Sequence, residues 1–411
     1  MSKLILSTGN IVSGGPSIIR KPGAYRSNLE LTNSLRSNFL AAQEYYGSAA
    51  AAEDDPSARN GNGHGNGNSN GSSNGNGHGN GNSNGNSNGN SNGNGSNGHL
   101  NGNGTGGSSL GARLAQSYPY IWTEWRKRDG AKDGEQGEEE VLYIPRVEWS
   151  TSGLQEEAAQ YDITVKLFFL PAGPTGSSGS GCNDDDDPLA RRQALAAARA
   201  GYAREALDLV LRELGGAPSV DLLIVSFPGM SFDGDCEWEA DKTNAAQGDD
   251  DDEAATWRAV ADELHTRRGL VRRLGIAEFG SEKLARFLKR VGADPAAPRP
   301  SADQINIKNC CDVPPPLLKL ARAQGIELLV HSDCTDVLPA GTLRELLGSG
   351  PRGAGILIND GDEEEEVAGA PARVRGDIAP QWVVKYTAVV RDRGVIENKG
   401  YFAGALFTVK E

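Results

Sequence analysis

The short stretch with the densest chemistry is His331-Ser332-Asp333, which sets an imidazole, a hydroxyl and a carboxylate side by side. A second candidate is Lys166, the one charge inside the apolar run Ile163–Leu170. A third is the thiol pair Cys310-Cys311, followed closely by Pro314 and Pro315. Acid–base and metal chemistry have little else to draw on. Three of the five histidines (His64, His78, His99) fall in an Asn/Gly tract, which leaves His265 and His331 in foldable sequence. His331 closes a strand-like segment, where a ring hydrogen-bonded to a neighbour is the ordinary reading. The five cysteines (Cys182, Cys236, Cys310, Cys311, Cys334) are odd in number and lack metal-ligand spacing. Free thiols in a reducing, cytoplasmic compartment fit that pattern. Cys310 and Cys311 are readable either as small buried apolar side chains or as interface or redox groups.

Composition bounds the partners. The 411 residues carry a net charge of −14, much of it in the runs Asp184–Asp187, Asp249–Asp252 and Glu363–Glu366. Such runs read as solvated loops. They argue against nucleic acid, whose phosphates require a basic face. No stretch of eighteen apolar residues is present, so no membrane span is expected. The segment from about 61 to 107 is nearly pure Asn, Gly, Ser and His. It has no apolar surface to offset an ordering entropy of roughly 1–2 kcal/mol per residue, and disorder is expected across an insert at 53–109. Further loop inserts, acidic or Gly/Pro-rich, are read at 172–187, 234–252 and 350–379.

The elements that must position the candidates alternate between strand and helix. Strands are expected at Leu4–Leu6, Val141–Val147, Ile163–Leu170, Val220–Phe227, Arg272–Ala277, Gln304–Ile307, Ile326–His331 and from Gly394 onward. Continuous apolar runs such as Ile163–Leu170 suit parallel strands buried on both faces. Helices are expected from Ser27 through the alanines at 49–52, from about Leu110 to Arg128, and from Pro188 to Gly215-Gly216. Others are expected from about Ala254 to Arg268, from Ser281, at Pro316–Gln324 and Thr342–Leu347, and finally at Gln381–Arg393. Eight alternations predict one α/β domain over 1–411, a (β/α)8 TIM barrel. About fifteen residues follow the start of the last strand, too few for a closing helix, so the barrel would be shortened at its C-terminal end.

Gly269-Leu-Val-Arg-Arg-Leu-Gly-Ile-Ala-Glu-Phe279, Asp303-Gln304-Ile305-Asn306 and Gln324-Gly325-Ile326-Glu327-Leu328 resemble the fifth, sixth and seventh strand motifs of aldo-keto reductases. A narrower resemblance is to the regulatory (modifier) subunits of glutamate–cysteine ligase. It is carried by Leu6-Ser7-Thr8-Gly9-Asn10-Ile11, Val165-Lys166-Leu167-Phe168, Ser226-Phe227-Pro228 and Gln304 through Cys310-Cys311-Asp-Val-Pro314-Pro315. Trp382-Val-Val-Lys-Tyr386 and Arg393-Gly394-Val-Ile-Glu-Asn-Lys399-Gly400-Tyr401 complete it. The resemblance implies a non-catalytic subunit that forms a heterodimer with the ligase's catalytic subunit, improves its use of glutamate and relieves feedback inhibition by glutathione. Candidate partner contacts are Cys310, Cys311, Pro314, Pro315, Lys399, Gly400 and Tyr401.

Reductase chemistry is the alternative, with NADPH as reductant and a carbonyl of unspecified structure as substrate. It needs a tyrosine acid, a lysine that lowers its pKa, an aspartate that holds the lysine and a histidine that orients substrate. Lys166 stands where the resemblance places the lysine. Ser226 stands in the histidine slot, and Val147-Glu148-Trp149-Ser150 has neither the aspartate nor the tyrosine of the second-strand motif. Lys166 is therefore read as vestigial, with no catalytic set, no metal and no required cofactor. Gln304 and Lys399 are what would remain for residual NADPH binding.

Overall fold

The computed structural model describes residues 2–12, 27–53, 122–127, 140–171, 187–233, 236–294, 297–307, 313–350, 352–358 and 374–408. Cys182, Cys310, Cys311 and residues 54–109 lie outside them. In chain order the first elements are β1 (Ser2–Ser7), α1 (Ser27–Glu53), β2 (Glu124–Lys127), β3 (Glu140–Ile144), β4 (Tyr161–Phe169), α2 (Pro188–Glu213) and β5 (Val220–Ser226). Next come α3 (Glu237–Asn244), α4 (Asp250–Ala261), β6 (Val271–Ala277), α5 (Ser281–Val291), β7 (Ala302–Asn306), α6 (Pro315–Gln324) and β8 (Glu327–His331). The chain continues through α7 (Thr342–Leu347), β9 (Leu357–Ile358), β10 (Val374–Arg375), β11 (Asp377–Val390) and β12 (Val395–Thr408).

Local chemistry sets the boundaries. Asp187 accepts a hydrogen bond from the Leu189 amide at 3.0 Å and Pro188 opens α2, a helix start that needs no first-turn donor. The helix is left behind at Gly215 and Gly216, both at positive φ, which glycine adopts without a Cβ penalty. α6 stops the same way at Gly325.

Ten strands form one sheet in the order β2-β3-β1-β12-β11-β4-β5-β6-β7-β8. β4 to β8 are parallel, each to the next. β11 is antiparallel to both β4 and β12, β12 is antiparallel to β1, and β1 is parallel to β3. Following these pairings, β1, β3 and β11 run against β4–β8. One face of the sheet packs through Val165, Leu167, Val384 and Phe402 onto α2, α4, α5 and α6. The other packs through Leu4, Phe168, Val383 and Tyr401 under α1 and α7. Among the described residues no hydrogen-bonded pairing joins β2 to β8, so hydrogen bonds do not close the sheet.

The fold is thus mixed α/β, and the expected alternation of parallel strands and helices is met over β4–β8. The C-terminal part departs from expectation. Gln381–Arg393, expected as a helix, is strand β11, turning at Gly394 (φ 62°) into β12. Trp382, Val384, Tyr386, Ala388 and Val390 are buried in alternation with less buried neighbours from Lys385 on, the period of a strand, and Val, Tyr, Thr and Trp favour that state. The fifteen residues that seemed too few for a closing helix lie instead in β12. Glu124–Lys127, expected in a helix, is an edge strand paired with β3. Two other corrections concern the acidic stretch. Residues 237–244 are helical, and Asp249 caps α4 by accepting from the Asp251 and Asp252 amides, each at 2.9 Å. A carboxylate at a helix N-terminus meets the unpaired amides and the positive end of the helix dipole, so this run is structure and not a solvated loop. Arg192, Lys283, Arg286 and Arg290 pair with it.

Candidate functional site

β4, β11 and β12 place Lys166, Lys385 and Tyr401 in one row, because Lys385 is the register partner of both Lys166 and Tyr401. Cross-strand partners share a face, so two ammonium groups stand side by side, an arrangement that is repulsive alone. The compensating charge arrives from just past β8. Asp333 accepts from Lys385 Nζ at 2.6 Å through Oδ1 and from Lys166 Nζ at 3.2 Å through Oδ2. Three strands lie between β4 and β8 in the sheet. Contact between their residues therefore requires the sheet to roll over this face.

A second bridge lies beside the first. His331 Nε2 is 2.6 Å from Glu278 Oε1, and His331 Nδ1 accepts from the Asp333 amide at 2.9 Å. Glu278 also accepts from the Phe232 amide at 2.9 Å and the Asn306 amide at 3.3 Å through Oε2. It therefore ties together the segments after β5 and β6 and the ends of β7 and β8. Its φ of 67° is the one positive value among described non-glycine residues, a strained conformation held by these bonds. Glu30 of α1 forms a third group, 2.7 Å from Lys399 Nζ and accepting from the Tyr401 hydroxyl at 2.7 Å.

Burial and charge set the proton affinities. Burial lowers the Lys166 pKa, against the opposing pull of Asp333 and Glu278. Burial would raise Asp333, but Lys166 and Lys385 outweigh it and hold the carboxyl well below the usual range. Burial first, then the Glu30 carboxylate, raises Tyr401 well above an ordinary phenol. Asp303, wholly buried on β7, is raised well above its ordinary value by burial, the Phe279 amide opposing.

This arrangement has little chemistry left to offer. The Asp333 amide occupies the Nδ1 lone pair of His331 and Glu278 takes the Nε2 hydrogen, so the ring has no free nitrogen for proton transfer. Both oxygens of Asp333 are held by lysines. A tyrosine serving as acid needs a lowered pKa, and Tyr401 moves the other way with its hydroxyl committed to Glu30. Among the described residues no tyrosine hydroxyl bonds Lys166.

Of the sequence candidates, Lys166 and His331 meet in this cluster, and Tyr401 and Lys399 adjoin it through Glu30. Four strands lie between Gln304 on β7 and Lys399 on β12 in the sheet order, and Lys399 pairs instead with Glu30. Gly400 is buried where a Cβ would overlap the Tyr386 hydroxyl and the Gly9 carbonyl, so glycine is required there for packing. Pro314 is buried and Pro315 is the exposed first residue of α6. Cys310 and Cys311 lie outside the described residues. Sequence reasoning missed Lys385, because a helical reading of Gln381–Arg393 hides its strand register. It also missed Glu278, whose signal was a carboxylate standing where the aldo-keto reductase motif has asparagine.

The site therefore defines a mixed α/β protein whose polar cluster is internally paired. No family profile matches the chain. It is 28% identical over 268 residues to a Schizosaccharomyces pombe protein provisionally named a glutamate–cysteine ligase regulatory subunit, covering 62% of this chain and 74% of that protein. It is 29% and 28% identical over 107 residues to the glutamate–cysteine ligase regulatory subunits of Mus musculus and Homo sapiens, 26% of this chain and 32% of each relative. The matches to the mammalian proteins thus span about a third of their length. The chain is similar to glutamate–cysteine ligase regulatory subunits, proteins named for regulation and not for catalysis. No helix among the described residues is long and apolar enough to cross a membrane.

Proposed function

We propose that this chain is a non-catalytic regulatory subunit of glutamate–cysteine ligase. It binds the catalytic subunit as a heterodimer in the cytoplasm, improves glutamate use and relieves glutathione feedback, with no nucleic acid or membrane partner. The observation that carries the reading is the likeness to the fission yeast protein over 74% of that protein's length. Such an effect requires tighter binding to the partner's active conformation than to its inactive one. The parallel half β4–β8, with its helices on one face, is then what remains of an aldo-keto-reductase-type barrel. The spent hydrogen bonds of His331, Asp333 and Tyr401 support a chain that catalyses nothing itself.

The test is co-purification with the ligase catalytic subunit, with glutamate KM measured with and without this chain. A complex and a lowered KM are expected; no complex and an unchanged KM would refute the proposal. The competing reading, an NADPH-dependent reductase, predicts aldehyde turnover that Lys166→Met abolishes.

A further inference from the structure

α2 ends on a buried carboxylate that no cation pairs with among the described residues. Glu213 is 4% exposed, and its Oε2 accepts from the Ser152 hydroxyl at 3.1 Å. Arg212, its neighbour on the helix, is exposed. From β11 comes the Tyr386 phenol, the one ionisable side chain that bears on the carboxyl. β12 turns the uncharged Asn398 and Gly400 this way, while its Lys399 pairs with Glu30 and its Glu397 accepts from Tyr161 of β4. The irregular segment between β3 and β4 brings in Ser152, and its charges are committed elsewhere, Glu148 to Arg146 and Glu156 to Arg393.

A carboxyl so placed suits its two protonation states unequally. The neutral acid tolerates burial with few partners, whereas the anion is costly without a counter-charge or water. Burial accordingly raises the Glu213 pKa from 4.5 to about 7, with Ser152 and Tyr386 opposing. Tyr386, Asn398 and Gly400 are buried, but Ser152, Gly153 and Leu154 are only half-buried and Thr151 and Gln155 are exposed, so water reaches the carboxyl most directly through this segment. The segment rests on the end of α2 by a backbone contact between two glycines, where a Cβ on Gly215 would come within 3.2 Å of Gly153 Cα. Little else fastens it: the Ser152–Glu213 bond, a 3.5 Å bond from Asn398 to the Gly153 carbonyl, the Gln155 amide on Glu397 at 3.0 Å, and Leu154 against the core.

We infer that Ser152–Gln155 forms a latch over Glu213 that opens when this carboxyl loses its proton. The proton passes to solvent, and the anion gains in the open form the hydration that the closed form denies it. Leu154 and the hydrogen bonds hold the latch shut while the carboxyl is neutral. The sign follows from linkage: the closed form has the raised pKa and the open form an ordinary one. The opening equilibrium therefore rises by up to about tenfold per pH unit from 4.5 to about 7 and is constant on either side.

Amide hydrogen exchange of the full chain between about pH 5 and 8, corrected for the intrinsic rate and repeated in low urea, tests the latch. The reporters are the amides of Thr151, bonded to the Glu148 carbonyl, and of Gln155 and Glu156, bonded to Glu397 and to the Tyr161 hydroxyl. Local opening shows as protection that falls with pH up to about 7, levels off above, and is insensitive to urea. The buried amides of Leu223 and Val225 in β5 should stay better protected. Glu213→Gln should abolish the pH dependence, and Ser152→Ala, which takes a donor from the anion, should extend it to higher pH. Protection independent of pH, or a slope retained by Glu213→Gln, overturns the latch. So does exchange that tracks β5 and rises with urea, since that is global unfolding. Were Glu213→Gln not to fold, an unchanged profile in Ser152→Ala would overturn it equally.

Discussion

Lys166 and Lys385 stand directly opposite each other across β4 and β11 and share one counter-ion, Asp333, contributed from beyond the far edge of the parallel strands. Among the described residues no hydrogen-bonded pairing closes the sheet, and this bridge joins the end of β8 to β4 and β11 across it.

Asp333→Asn should therefore be costly. It leaves the buried Lys166 ammonium facing the half-buried one of Lys385 with no counter-ion, and removing one member of a buried ion pair typically costs about 3–5 kcal/mol. Lys385→Met should cost less, because Lys166 keeps its partner. Denaturant titration of both variants tests this order, and equal losses would contradict the shared-counter-ion account. Since the folded-state pKa of Asp333 is depressed, its contribution is present above the unfolded value of roughly 3.9 and is lost as acid protonates the folded protein.

Neutral pH should act in the opposite direction through Glu213. Burial raises its pKa from 4.5 to about 7, with the Ser152 hydroxyl opposing. A raised carboxyl means that the folded state holds its proton longer, so stability falls as pH rises from 4.5 to about 7 and levels off above. Burial also raises Glu253 to about 7 in the face of Lys283, and it adds to the same slope. Glu213→Gln should flatten part of that slope, by on the order of 3 kcal/mol at most. Melting temperatures across pH 5–8 measure it.

At Glu278 the side chain and the backbone make separable contributions. Glu278→Ala and Glu278→Gly both lose the bonds to His331, Phe232 and Asn306. Only glycine relieves the positive φ, so Glu278→Gly should be roughly 1–2 kcal/mol more stable than Glu278→Ala. Chemical denaturation of the two variants gives the difference directly.

Gly404 and Gly400 give a paired test of packing. A Cβ at Gly404 would overlap the Trp382 indole, whereas one at Gly400 would also meet the Gly9 carbonyl. Either alanine should destabilise by roughly 1–3 kcal/mol. In a Trp382→Leu background the Gly404→Ala penalty should largely vanish, while Tyr386→Phe should not rescue Gly400→Ala. Double-mutant cycles distinguish the two cases.

The strands β4–β8 and most of the helices between them were readable from the sequence because each strand is a local apolar run, whereas α3 and the first turn of α4 lay hidden in a stretch read as an acidic loop. β11 was misread because its strand state depends on pairing with β4, far away in sequence, as well as with β12 across the turn at Gly394. Lys166 and His331 could be singled out by type, but their relation could not. It arises from the rolling of the sheet, and the carboxylates that fix their chemistry, Asp333 and Glu278, come from residues with no periodic signature. The acidic run at 249–252 shows the same limit. Charge density alone does not distinguish a solvated loop from a helix cap with cationic neighbours.

β1 pairs along its whole length with β12, Ser2 opposite Phe407 and Ser7 opposite Phe402, so nearly the full sequence separates the two sides of one ladder. During synthesis at roughly 5–20 residues per second, β4–β8 can assemble while β1 still waits for its partner. The strand Lys3–Ser7, buried in the finished protein, can meanwhile pair with β3, but its other edge stays open until β12 is made. For this chain the ribosome-bound stage, more than the folded state, is the period of greatest exposure to misassociation.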